Sequence, residues 1–136
     1  MTTRSDIEKS LRNAYAARVS GNVEVAMTYF ADDGVFRIHG RGTGVPALSD
    51  AVVGKRAIAE AMAQLVKDWR FDDWKELALL VDGDKAALHW TARATCMETN
   101  KSEMLDAFDL VTFRDGKFVD FHQHVDTAMI MRLATP

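Results

Sequence analysis

The stretch MLDAFDLVTFRDGKFVDFHQHV, residues 104–125, decides the fold of this chain. Hydrophobic and polar residues alternate over Met104–Phe113 and again over Phe118–Val125, which is the pattern of strands with one buried face. Between these two runs lies the turn sequence RDG, at positions 114–116. The stretch therefore predicts two neighbouring antiparallel strands joined by a short turn.

The part of the chain before this hairpin also contains strands. Glu76–Val81 and Ala86–Cys96 have the composition of strands, and the turn sequence DGD lies between them at positions 82–84. Strands are therefore expected to dominate from Phe71 to Val125. Consecutive short turns make neighbouring strands antiparallel.

The first half of the chain is mainly helical. Apolar residues recur every three or four positions over residues 5–31, with one interruption, which predicts two helices. A third helix is expected after Gly54, following a short strand at Val35–His39 and a loop that contains glycines. Helices followed by a run of strands are typical of an α+β fold. We expect a cone-shaped, strongly curved, mainly antiparallel sheet closed by these three helices, as a single domain over residues 1–136.

Composition and charge exclude several classes of function. The 136 residues include 17 Lys and Arg against 20 Asp and Glu, a net charge of −3, so nucleic acid is not an expected partner. The one cysteine, Cys96, cannot form an intrachain disulfide. No apolar run approaches the roughly 20 residues of a membrane helix, and Met1–Asp6 lacks the apolar core of a signal peptide. We expect a cytoplasmic protein that does not bind membranes.

One carboxylate stands in an apolar row. On the strand Met104–Phe113, Asp109 shares a face with four apolar residues, Leu105, Ala107, Val111 and Phe113. Burial there would raise the pKa of Asp109 unless a cation or a hydrogen-bond donor compensates. Two interpretations stay open: a structural carboxylate paired with an arginine, or a carboxylic acid in a pocket that is suited to proton transfer.

The last strand places one amide among apolar residues and two histidines on the opposite face. Gln123 shares its face with Phe121 and Val125, whereas His122 and His124 project together from the other face. Two histidines in this spacing could bind a metal with a third ligand, but no third ligand occurs at a telling spacing. The sequence therefore predicts no metal site, and a polar outer face or a subunit interface instead.

Five short motifs resemble the nuclear transport factor 2-like superfamily, which includes ketosteroid isomerases, limonene epoxide hydrolases and SnoaL-like polyketide cyclases. They are GNVE at 21–24, YFADD at 29–33, GKRAI at 54–58, FRDGK at 113–117 and VDTA at 125–128. The resemblance spans nearly the whole chain. It implies a cystatin-like roll with an interior pocket, and it says little about activity because the fold hosts many functions.

The resemblance also implies roles for single residues. The protonated aspartate of the isomerases falls on Asp109, whereas their general base and their tyrosine fall on Ile38 and Ala14, which cannot transfer protons. The arginine of the epoxide hydrolases matches Arg93, while one of their aspartates falls on Thr95 and the other on Gln123. Neither chemistry is carried over complete.

Arg93 is the point on which pattern and resemblance disagree. Within Ala86–Cys96, alternation puts an apolar row inward and Arg93 outward with Thr95. The resemblance puts Arg93 on the pocket side, and the apolar row would then cover the outer face and form a homodimer interface. In that arrangement Arg93 and Asp109 are expected to be coupled. Which face lines the pocket is left open at this point.

These observations predict a small-molecule pocket protein. The expected ligand is a hydrophobic carbonyl-type molecule, with proton transfer or acid–base chemistry as one hypothesis and a non-catalytic ligand-binding or dimerisation module as the alternative. No organic cofactor is implied. Asp109 and Arg93 are the candidate catalytic residues. The candidate substrate-binding residues are Gln123, His39, Thr95, Phe121, Val125, Met62, Val66 and Tyr15.

Overall fold

The computed structural model describes residues 2–40, 42–48 and 50–136, which contain four helices and six strands. The α+β prediction is confirmed. No helix in these ranges is both long and apolar enough to cross a membrane. In chain order the elements are α1 (Arg4–Ser20), α2 (Val23–Met27), β1 (Phe30–Ile38), β2 (Val52–Val53), α3 (Lys55–Asp68), β3 (Trp69–Asp82), β4 (Lys85–Cys96), β5 (Lys101–Arg114), β6 (Lys117–Val125) and α4 (Thr127–Ala134).

The strands form one sheet in the order β2-β1-β6-β5-β4-β3. Neighbouring strands are antiparallel except for β1 and β6, which run parallel. The mainly antiparallel sheet is therefore as predicted. The parallel pair matters for function, because it places the end of β1 beside the end of β6.

Helix α1 has clear start and stop signals. Thr3 and Asp6 form a reciprocal capping box at its N-terminus, and Gly21 ends it in the left-handed conformation with a φ of 79°. Its buried residues, Ile7, Leu11, Ala14, Tyr15, Ala17 and Arg18, follow a helical period. This stripe packs into the main hydrophobic core, and it carries Tyr15 and Arg18 inward.

The second helix is shorter than the pattern predicts. It ends at Met27, and Phe30 begins β1 instead of continuing the apolar stripe of the helix. The reason is tertiary: Phe30 lies opposite Phe118 in the parallel ladder, with ring centroids 5.0 Å apart in an edge-on arrangement. This pairing connects the start of β1 to the start of β6.

Strand β4 follows alternation, so the placement of Arg93 implied by the resemblance is wrong. The row containing Trp90, Ala92 and Ala94 is fully buried on the inner face, and Arg93 is exposed on the outer face. Burying the apolar row removes hydrophobic surface from water, whereas burying Arg93 would strip its charge of water. The expected apolar dimer interface made by this row is therefore wrong as well.

Candidate active site

A buried carboxyl group, that of Asp109, lies at the centre of the inner face. Its residue is 2% exposed and sits on β5 between Leu88 of β4 and Gln123 of β6. No arginine or lysine forms an ion pair with it in the described part of the chain. Uncharged hydrogen-bond donors compensate it instead.

Three donors from three elements converge on this carboxyl group. Trp90 Nε1 of β4 donates to Oδ2 over 3.0 Å, and Gln123 Nε2 of β6 donates to Oδ1 over 3.0 Å. The Tyr15 hydroxyl of α1 donates to Oδ2. Gln123 Nε2 also lies 2.9 Å from the Tyr15 hydroxyl oxygen, to which it donates. The four side chains therefore form one closed network.

Burial sets the protonation of this network. It raises the pKa of Asp109 to about 7, and the hydrogen bonds from Tyr15, Gln123 and Trp90 oppose that rise. The pKa of Tyr15 is raised well above its ordinary value, first by burial and then by the negative charge of Asp109. Near neutral pH, Asp109 thus exists in both protonation states while Tyr15 keeps its proton.

Protonation of Asp109 changes what Tyr15 can do. The indole nitrogen of Trp90 is a donor only, and the Gln123 amide presents its nitrogen, so the Tyr15 oxygen is the acceptor that remains for a proton on Asp109. When Asp109 donates to that oxygen, the hydroxyl hydrogen of Tyr15 must point elsewhere. Tyr15 lines a cavity, and its hydrogen is then available to a molecule bound there.

The cavity has a volume of about 70 Å³, several times the roughly 10–15 Å³ that one water needs on the same measure. Tyr15, Arg18 and Gln123 are the residues with polar side chains in its described wall. Asp109 and Trp90 are not among the described lining residues; Asp109 lies behind Tyr15 and Gln123. The apolar wall consists of Ala14, Ala26, Phe30, Phe36, Ile38, Ala47, Leu48, Met62, Leu65, Trp69, Phe71, Leu105, Phe118, Phe121, Val125 and Ile130.

Arg18 brings a positive charge to this wall. It is 9% exposed, its Nη2 donates to the backbone oxygen of Trp69 over 2.8 Å, and its guanidinium carbon lies 4.1 Å from the centroid of the Phe71 ring. Burial lowers its pKa to about 10, so it stays charged at neutral pH. No ion pair of Arg18 occurs in the part of the chain that the structure describes.

The structure brings six of the ten predicted residues together. Tyr15, Gln123, Met62, Phe121 and Val125 all line the cavity, and Asp109 lies directly behind it. These positions follow from alternation on β5 and β6 and from the helical stripes of α1 and α3.

Four predicted residues lie elsewhere. Arg93 and His39 are exposed, and the expected pair between Arg93 and Asp109 is wrong. Thr95 is buried on the opposite face of β4 from Trp90 and donates from Oγ1 to Ser102 Oγ over 3.2 Å. Val66 is half-buried and lies outside the described cavity wall.

Sequence reasoning missed two residues of the site. Trp90 could have been found from the sequence. A buried indole N–H needs an acceptor, and Asp109 was the acceptor expected on the same face of the next strand. Arg18 could also have been found, because it follows Ala14 on the apolar stripe of α1, where a charge is out of place. Arg18 supplies the cation for which Arg93 had been the candidate.

Comparison with known proteins identifies the family. The sequence pattern of the SnoaL-like domain matches residues 11–121. The chain belongs to the SnoaL-like domain family. The resemblance to the nuclear transport factor 2-like superfamily is thereby confirmed. A search of curated proteins finds no significant match to this SnoaL-like chain.

Solved structures share the fold of this SnoaL-like domain at low sequence identity. A nuclear transport factor 2-like protein of unknown function from Burkholderia pseudomallei is 19% identical, with a TM-score of 0.83 over 96% of this chain and 98% of that one. A putative isomerase from Bacillus subtilis is 14% identical, with a TM-score of 0.85 over 95% and 92%. A putative SnoaL-like polyketide cyclase from a Jannaschia species is 13% identical, with a TM-score of 0.81 over 97% and 94%.

The raised pKa of Asp109 predicts a pH-dependent stability. Its folded pKa of about 7 exceeds its ordinary value of 3.8, so the folded state holds a proton that the unfolded state releases. The contribution to stability is present in full below pH 4, falls as the pH rises towards 7, and is constant above that. The fall is ~4 kcal/mol on the scale of 1.36 kcal/mol per pKa unit.

Urea unfolding of the wild type and of Asp109→Asn between pH 4 and pH 8 measures this effect. The histidines and surface carboxylates titrate equally in both proteins, so the difference between the two free energies of unfolding isolates Asp109. We expect the wild type to lose stability relative to Asp109→Asn as the pH rises. A difference in free energy of unfolding that stays constant between pH 4 and pH 8 would contradict the raised pKa of Asp109.

Proposed function

We propose that this SnoaL-like domain binds a hydrophobic small molecule with a carbonyl or enol oxygen and stabilises negative charge on that oxygen. The observation that carries the proposal is Tyr15, a residue that lines an apolar cavity and whose hydroxyl is hydrogen-bonded to the buried carboxyl group of Asp109. Ligand sites of this kind are largely apolar, with a few polar groups that fix the orientation of the ligand.

Tyr15 is the group that touches the ligand, and Asp109 acts through it. In its neutral form Asp109 donates to the Tyr15 oxygen, which frees the Tyr15 hydrogen and makes it a stronger donor to the ligand oxygen. Donors fixed in advance in a site that excludes water stabilise charge that develops during a reaction. Gln123 donates to both Tyr15 and Asp109 and so fixes the position of these two side chains relative to each other.

Arg18 narrows the class of ligand. Arg18 is a residue of the cavity wall, and its guanidinium has no carboxylate partner among the described residues. A buried charge without a partner is costly. An acidic ligand, such as an enol, a phenol or a carboxylic acid, would offset that cost on binding. The apolar wall selects for a ligand whose remaining surface is hydrocarbon.

A second candidate, ligand binding without turnover, is favoured by one observation. The described lining residues include no carboxylate and no histidine, whereas enolisation of a ketone needs a base that removes the carbon-bound proton. Stabilisation of an enolate is therefore the step that the site supports, and proton abstraction would fall to water or to the ligand itself. The fold of putative isomerases and cyclases is compatible with both candidates.

The Tyr15→Phe variant tests the proposed oxygen contact. 2-Naphthol carries an enol-like oxygen and 2-methylnaphthalene does not, and binding of each can be measured by isothermal titration calorimetry. We expect the wild type to prefer 2-naphthol and Tyr15→Phe to bind it about tenfold more weakly, the equivalent of one hydrogen bond. Binding of 2-methylnaphthalene should be unchanged.

The matched control is Tyr29→Phe. Tyr29 is half-buried, stacks on Phe118, and is outside the described cavity wall, so the variant should bind both probes as the wild type does. Equal affinity of the wild type and Tyr15→Phe for 2-naphthol would refute the proposed contact. If Tyr29→Phe lost as much affinity for 2-naphthol as Tyr15→Phe, the loss would be a general effect on folding and would also count against the proposed contact.

We also propose that the chain forms a homodimer through the outer face of the sheet. Phe108, Leu110 and Met104 of β5 are 54%, 51% and 44% exposed on this face, and contiguous apolar surface marks interaction sites. Arg93 and Asp106 place charges of both signs on the same face. A twofold axis pairs a surface with itself, and this combination of an apolar centre with opposite charges is self-complementary.

Light scattering tests the dimer. One chain has a mass of 15.2 kDa, so we expect a particle of about 30 kDa for the wild type, because two copies cover the apolar centre. Phe108→Glu should give about 15 kDa. The control Met131→Glu, at a residue 42% exposed on α4, should leave the mass unchanged. A wild-type mass of about 15 kDa at micromolar concentration would contradict this proposal.

A further inference from the structure

Three of the four histidines of the chain meet on the outer face of the sheet. His122 and His124 project from β6, and His39 follows the last residue of β1. One ring nitrogen from each lies within 4.8 Å of the others. The parallel pairing of β1 and β6 causes this meeting, since the His39 amide donates to the Gln123 backbone oxygen over 2.8 Å.

We propose that His39, His122 and His124 bind a divalent transition-metal ion of the zinc type. Imidazole is a preferred ligand of zinc, copper and nickel. At Zn–N distances of 2.0–2.1 Å, the nitrogens of a tetrahedral site lie roughly 3.3 Å apart, so the three rings must close by at most about 1.5 Å from separations within 4.8 Å. His39 and His124 are exposed and can rotate to do so. Three protein ligands leave one position for water or another ligand.

An unpaired nitrogen supports this site. Nε2 of His122 is buried and has no hydrogen-bond partner among the described residues, and a polar group left in that state costs free energy. A metal bound by His122 Nε2 would give that nitrogen the partner it lacks among the described residues.

Arg37 is the group that opposes metal binding. Its Nη2 lies 3.0 Å from Nδ1 of His122, opposite which it sits in the parallel ladder. If Arg37 donates to Nδ1, the neutral ring of His122 carries its hydrogen on Nε2, and that nitrogen cannot bind a metal. Binding therefore requires Arg37 to release His122. The positive charge of Arg37 also repels a cation directly.

This competition makes the proposal specific. Removal of the Arg37 side-chain charge should tighten metal binding, whereas removal of a ligand histidine should weaken it. Asp120, on the same strand two residues before His122, carries a negative charge and so acts in the opposite direction to Arg37. A divalent cation would be drawn to that carboxylate for the same reason.

Calorimetric titration of Zn²⁺ into the full-length, chelator-treated protein at pH 7.5 tests the site. We expect one ion per chain and at least tenfold weaker binding in His39→Gln and in His124→Gln. His89→Gln is the matched control, because His89 is the remaining histidine, stacks on Phe108 and is outside the cluster. Its affinity should equal that of the wild type. Circular dichroism and light scattering show whether each variant keeps its fold and mass.

Arg37→Met supplies the second arm of the test. We expect it to bind Zn²⁺ several-fold more tightly than the wild type, because the competing hydrogen bond and charge are gone. The proposal is overturned if neither the wild type nor Arg37→Met gives saturable binding, or if His89→Gln loses as much affinity as His39→Gln. Unchanged affinity in Arg37→Met would refute the competition between Arg37 and the metal.

Discussion

The structure depends on a buried carboxyl group that forms no ion pair with any described arginine or lysine. Asp109 of β5 accepts hydrogen bonds from Tyr15 of α1, Trp90 of β4 and Gln123 of β6, and so joins the first helix to three adjacent strands. Burial drives its pKa up while the donors drive it down, and the result of about 7 lies at the pH of most cells. Tyr15, which is hydrogen-bonded to Asp109, also lines the cavity.

The two arginines Arg18 and Arg93 show how burial separates similar side chains. Arg93 stays in water on the outer face, as its charge requires. Arg18 is drawn inside by its place on the apolar stripe of α1, and there a backbone oxygen and the face of Phe71 hold it. Arg18, which has no ion pair among the described residues, thus lines an apolar cavity, and the acid Asp109 lies directly behind the wall of the same cavity. This arrangement favours a ligand that carries an acidic oxygen.

The local sequence pattern predicted the fold and the site residues that lie on strands β5 and β6. Alternation placed Asp109 and Gln123 on the inner face and, correctly, Arg93 on the outer face, because side-chain direction in a strand is a local property. The resemblance placed Arg93 on the wrong face because it was followed against the alternation of β4, in which the residues on either side of Arg93 are buried. Contacts across distant segments were not predictable: Tyr15 is 94 residues from Asp109, and His39 approaches His122 and His124 only through a parallel pairing.

An NMR titration of the Asp109 side-chain carboxyl carbon, assigned by its loss in Asp109→Asn, tests the central claim most directly. It observes the proton on the group itself, without unfolding the protein and without a known ligand. The account predicts a midpoint near pH 7, and a shift of the Tyr15 ring signals with the same midpoint because the two groups share a hydrogen bond. A midpoint near the ordinary value of 3.8, or below it, would show that the three donors outweigh burial and that Asp109 stays ionised at neutral pH.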